Sequence, residues 1–247
     1  MIEHPQKRLF LVAVCAIILA VGLTCTAPAA PIDPGFDLFQ TPPGGGVLDL
    51  TAFGAGLVPL VGLPIGPGNT DTIVQRNTGL PDGGTGIINV EIVALSLVSI
   101  DPVAINFGGG LLNWDVSVGL DPNNPSIGQI NVLTHDPTGG TFDSFFDVFA
   151  RVTFDEVGGS TQVQVDRQDE LSSQGSLWSH TPPPGYPGHP NYPAGGFYPG
   201  VDPLTGAIVG LDHTGPHPHT DPASPEPASM LLLVLGALGM TGLLRRR

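Results

Sequence analysis

The chain has 247 residues, with 8 lysines and arginines against 22 aspartates and glutamates, and a formal charge of −14. Such an acidic surface repels nucleic acid and anionic lipid and favours solubility, and it suits divalent cations or basic partners. Both cysteines, Cys15 and Cys25, lie near the start of the chain, so no disulfide framework can hold the remainder.

In chain order, Lys7 and Arg8 precede the apolar run Leu9 to Leu23, and Ala27-Pro28-Ala29 follows as an A-x-A-type cleavage site. These are the three parts of a secretory signal peptide, expected to span residues 1–29 and to be cut after Ala29 by signal peptidase and the general secretion machinery. An uncleaved anchor is the alternative. Lipidation of Cys25 is disfavoured because Thr24 precedes it, where a lipidation motif has Gly, Ala or Ser. Between this leader and Pro225 the chain carries three arginines, no lysine and twenty carboxylates, about −17.

The middle of the chain reads as strands. Leu112, Trp114, Val116, Val118 and Leu120 alternate with smaller or polar residues, and Phe146, Val148, Ala150, Val152 and Phe154 alternate with Asp147, Phe149, Arg151 and Thr153. Gly86 to Ile100 is rich in β-branched residues, and its apolar face switches between Ile92 and Val93, which predicts a bulge or a bend. Weaker strands are expected at Val47 to Phe53, Thr72 to Arg76, Ile127 to Leu133, Thr161 to Asp166 and Ala207 to Leu211. Asp-Pro pairs at Asp101, Asp121 and Asp136 predict turns between strands. Together these predict an all-β domain over 35–213, an antiparallel β-sandwich of about seven to nine strands. A Pro/Gly-rich stretch over 180–203 predicts a long extended loop within it.

A flexible spacer is expected over 214–224, followed by Pro225-Glu226-Pro227, an apolar run from Ala228 to Leu244, and Arg245, Arg246 and Arg247. As a helix at about 1.5 Å per residue, 228–244 spans roughly 25 Å, enough for a thin membrane. The arginines favour the cytoplasmic face and leave Pro225-Glu226-Pro227 outside.

A signal peptide, an acidic middle, Pro-Glu-Pro, an apolar helix and terminal arginines together resemble the PEP-CTERM family of exported bacterial proteins. The likeness is confined to the two ends of the chain. It implies that residues 225–247 are a sorting segment read by an exosortase, a membrane enzyme that cuts near Pro-Glu-Pro. It further implies transient anchoring, then placement at the cell surface or in an extracellular matrix containing exopolysaccharide. The spacer would hold the folded part clear of the membrane and leave the signal accessible.

Candidate chemistry is sparse. His213, His217 and His219, with Asp212 and Asp221, offer weak ligands for zinc, copper or nickel, but intervening prolines prevent a preformed site, and no metal or cofactor is expected. The segment from Asp121 to Gly128 offers oxygens but lacks the calcium-loop spacing, and reads as a polar turn. Trp178, Tyr186, Tyr192, Phe197 and Tyr198 can either stack on sugars or pin their loop to the domain. No G-x-S-x-G, H-E-x-x-H or phosphate-loop motif occurs, and carboxylate pairs such as those in Asp166 to Glu170 are expected from composition alone. The leading expectation is a non-catalytic surface or matrix protein, with a carbohydrate-binding role open. A secreted polysaccharide hydrolase and an unprocessed tail-anchored protein are the alternatives.

Overall fold

The structure, a computed structural model, describes residues 28–186 and 188–210. The leader residues before 28, the metal candidates His213, His217 and His219, the spacer, Pro225, Glu226 and Pro227, the apolar run and the terminal arginines lie outside the described residues.

Within them the protein is all-β, with one short 3₁₀ turn at Thr51–Phe53. The strands are β1 (Gly35–Phe39), β2 (Gly46–Asp49), β3 (Leu57–Gly62), β4 (Thr72–Arg76), β5 (Gly86–Ser99), β6 (Val103–Ile105), β7 (Leu112–Leu120), β8 (Ser126–Asp136), β9 (Gly139–Glu156), β10 (Gln162–Ser179) and β11 (Tyr198–Pro199). All eleven belong to one sheet, and every pairing between them is antiparallel.

The register shows that several of these strands are halves of longer rows. Ser96 of β5 faces Gly119 of β7, and Ile92 faces Ser126 of β8, so β7 and β8 lie end to end along the same edge of β5. On their other side they share β9 in the same way, with Leu120 opposite Ala150 and Ile127 opposite Asp147. The pairings β5–β7–β9–β8 therefore close a ring of four strands. Along the opposite edge of β5, β3 and β4 also lie end to end, and β2 and β1 line those two strands in turn. The result is a meander of rows, each hydrogen-bonded to the row before it in the chain.

The buried faces follow the sequence pattern. Trp114, Val116 and Val118 point inward from β7, and Phe146, Val148, Ala150, Val152 and Phe154 from β9. On β5 the inward set is Ile88, Val90 and Ile92, after which it passes to Leu95 and Leu97. The β4 register skips Val93, which is the expected bulge. Phe53, Phe107, Trp114 and Phe154 form an aromatic cluster with ring centroids 5.1–5.8 Å apart. Burying each such side chain stabilises the fold by roughly 1.5–3 kcal/mol.

Three differences from the sequence reading share one cause. The strands number eleven and form a single sheet. Of the three Asp-Pro pairs expected to turn the chain, Asp136-Pro137 alone reverses it, between β8 and β9. Those at Asp101 and Asp121 bend the chain out and return it to the same row, because a turn residue fixes a local bend and not the direction the chain takes afterwards. The expected strand at Ala207 to Leu211 is reduced, within the described residues, to a single bridge between Val201 and Ile208.

Candidate functional site

Strand β1 lies in the first row of the meander, and among the described residues no strand lies on its outer edge. The Pro/Gly-rich segment after β10 takes that place. Phe36 N–H donates to the Pro193 carbonyl at 2.8 Å, and Asp33 N–H to the Gly195 carbonyl at 2.9 Å. Gly35 and Gly195 permit the approach. A methyl group on Gly35 would collide with the Pro193 carbonyl and the Arg76 guanidinium, and Gly195 adopts φ 57°, in the left-handed region. Farther along, Arg167 of β10 donates to the carbonyl of Asp49, the last residue of β2, at 2.6 Å. The sheet is thus rolled until its last long strand and the following segment meet its first strands.

A buried ion pair lies under this seam. Arg76 on β4 pairs with Asp37 on β1, and both side chains are essentially without solvent contact. The guanidinium also donates to the carbonyls of Ala194 and Asp33, and its carbon lies 5.0 Å from the centre of the Phe197 ring. Burial pushes the Asp37 carboxyl above its usual range, with Arg76 pulling it back. Asp37 Oδ2 and Arg76 Nε make no hydrogen bond.

The loop's aromatic residues mostly face inward. Phe197 is fully buried, stacks on Trp178 at 4.8 Å and 27°, and meets Phe142 edge-on. Tyr192 meets Phe36 at 5.3 Å, and Tyr186 meets Tyr198 at 4.9 Å. Burial raises the Tyr186 hydroxyl to about 12, with Asp37 adding to the effect. Of the two roles open to these rings, pinning the loop is the one the geometry displays.

Beside Trp178, two histidines meet. His135, at the end of β8, and His180, after β10, approach with Nε2 atoms 3.0 Å apart. His135 Nδ1 lies 2.8 Å from the Gly84 carbonyl, and His180 Nδ1 lies 2.7 Å from the Gly196 carbonyl. The Ala30 carbonyl lies 2.8 Å from His135 Nε2. Trp178 contacts both imidazoles edge-on. Burial lowers the His180 pKa, partly opposed by the Gly196 hydrogen bond and reinforced by His135. Sequence reading missed this pair, because forty-five residues separate its members and neither sits in a ligand-spaced motif.

The remaining candidates are occupied internally. Asp121 accepts from the Asn123 backbone N–H and from the Asn123 and Asn124 side-chain amides, and pairs with Arg151 at 3.3 Å, which holds its carboxyl below the usual range. The Asp121 segment is a self-bonded polar turn. In Asp166 to Glu170, Asp166 pairs with Arg151 on one face of β10 and Asp169 with Arg167 on the other, so these two carboxylates do not converge. Each of the three arginines among the described residues pairs with an aspartate. Of the expected signal-peptidase residues, Ala29 is buried, and Ala27 lies outside the described residues. Among the described residues no three His, Cys, Asp or Glu side chains gather as a metal cluster, and no helix is long and apolar enough to cross a membrane.

No protein-family model matches the chain, and no curated protein or solved structure matches it.

Proposed function

We propose that the protein is an exported, non-catalytic component of the cell surface or extracellular matrix, delivered through its C-terminal sorting segment. The observation that carries this reading is the succession of residues at the C-terminus: Pro225-Glu226-Pro227, an uncharged run over 228–244, then Arg245, Arg246 and Arg247, after an acidic chain. An exosortase-like membrane enzyme is the partner that reads it, after signal peptidase has removed 1–29. In this reading the rolled sheet is a sandwich-like ectodomain whose halves pack over one core, and 228–244 is its temporary anchor.

Asp37, Asp121, Asp166 and Asp169 each neutralise an arginine. A sugar-binding role moves from the pinned loop to the outer face of β9, where Phe145 is 38% exposed and flanked in register by Gln129 and Ser172.

Mass spectrometry of the protein purified from its native envelope tests the sorting proposal. Cleavage close to Pro227 is the expected result, and a mature chain that keeps Arg247 overturns it. A mature chain with no sugar retention on an exopolysaccharide column removes only the binding role.

A further inference from the structure

We propose that the outer face shared by β5, β8, β9 and β10 binds a polymer of amino sugars, with Phe145 as its stacking platform. This rests on the sugar-binding role given above to Phe145 and adds the charge of the sugar. Phe145 is 38% exposed, and the register places Asn89, Gln129, Phe145 and Ser172 in one row across the four strands. Along β9 the ring stands between Asp143 and Asp147, each one side chain away on the same face. The row through Asp147 continues to Glu170 on one flank and through Ile127 to Glu91 on the other. The row through Asp143 continues through Asn131 to Ile87. Ile87 and Ile127 are exposed, so the face mixes apolar groups, amides and carboxylates.

The chemistry of this lattice selects its occupant. Phe145 takes the apolar face of a sugar ring, and the Asn89, Gln129 and Asn131 amides offer both donors and acceptors to hydroxyls. Neighbouring strands lie about 4.8 Å apart, close to the advance of one ring along an extended sugar chain, so a polymer crossing the strands meets one side chain of the row per sugar. Glu91, Asp143, Asp147 and Glu170 surround the platform, while the arginines among the described residues are committed to Asp37, Asp121, Asp166 and Asp169. Asp143 accepts from Gly175 N–H at 2.8 Å, which fixes its carboxylate against β10. Such a face repels a uronate polymer, and its charge does nothing for a neutral one. A ring carrying an ammonium group gains both from the carboxylates and from the negative face of Phe145. A basic peptide shares that charge, but β8 and β9 are hydrogen-bonded on both sides and leave no ladder for a peptide backbone.

The test uses the full-length chain in non-ionic detergent and calorimetry with a soluble glucosamine oligomer, its N-acetylated counterpart, a neutral glucan oligomer, a uronate oligomer and oligolysine. The glucosamine oligomer is expected to bind at one site per chain, more tightly than the others and more weakly as salt is raised. The F145A variant keeps every charge and should bind about tenfold more weakly. D147N should lose affinity severalfold, whereas D101N, which removes the same charge from an exposed position after β5, should bind like the parent. Equal affinity in F145A and the parent, or in D147N and D101N, overturns the proposal, because only general attraction to an acidic chain then remains. If F145A lacks the native circular dichroism, D147N against D101N decides. Tighter binding of the N-acetylated or glucan oligomer, lost in F145A, rejects the amino sugar and leaves the sugar-binding reading standing. Binding of no sugar rejects both, and oligolysine binding that F145A abolishes assigns the face to a basic peptide instead. The sorting segment is judged by mass spectrometry alone, so none of these results bears on it.

Discussion

Arg76 shows how one buried charge can organise a large surface. Its guanidinium neutralises Asp37, binds the carbonyls of Ala194 and Asp33, and covers Phe197. An unpaired carboxylate in that position is costly, because desolvation favours its neutral form and no other cation is near. The Arg76→Met substitution preserves much of the volume while stranding Asp37. Urea unfolding should show a loss of about 3–5 kcal/mol, largely recovered in an Arg76→Met, Asp37→Leu double variant. If the single variant were as stable as the parent, the ion pair would not be what holds the loop. None of this was legible in advance: Asp37 and Arg76 are thirty-nine residues apart, in strands of which only β4 was expected.

At the scale of elements, the unusual feature is the interrupted row. Between β3 and β4 the chain leaves the sheet, and fully buried Asp71 ties the break together. It accepts from Thr41 N–H at 2.5 Å, Thr41 Oγ1 at 3.1 Å and Thr72 Oγ1 at 2.8 Å, so it also fixes the neighbouring break between β1 and β2. The Asp71→Ala substitution leaves these donors unmet and should cost about 3 kcal/mol in chemical denaturation, with Asp71→Asn intermediate. Equal stability of all three proteins would show that water replaces the carboxylate.

This scale also separates what the sequence disclosed from what it hid. Alternation in β7 and β9, and the face switch at Val93, follow from a period of two imposed by the backbone, so they could be read directly. The same rule failed for β1 and β3, which are short and carry Gly, Asp or Pro, and for the second half of β10, where Ser and Gly replace apolar residues. Whether a turn reverses a row or interrupts it depends on partners remote in sequence. The His135–His180 pair depends on them entirely.

For the whole molecule, closure rests on a segment with little regular structure. Tyr186 lies within it, and its hydroxyl is raised from 10.0 to about 12 by burial. A folded pKa above the unfolded one means that the native state holds this proton more tightly. The resulting stability is complete below about pH 10 and disappears as the pH rises through about 12. Absorbance at 295 nm should therefore show a component near pH 12 that Tyr186→Phe removes, together with a change in Trp178 emission as the loop detaches. If Tyr186→Phe removes absorbance only near pH 10, with emission unchanged, Tyr186 lies in water.

The rolled seam also governs the order in which the protein can mature. Each row pairs with the row before it in the chain and can zip as the polypeptide emerges, which favours rapid assembly. The margin of β1 is the exception, since its covering segment is synthesised more than one hundred and fifty residues later. Until Pro193 to Gly196 arrive, that first margin stays bare and adhesive toward other nascent chains. Wrong pairing at that margin is therefore a hazard confined to the growing chain, and it ends only when nearly two hundred residues have been made.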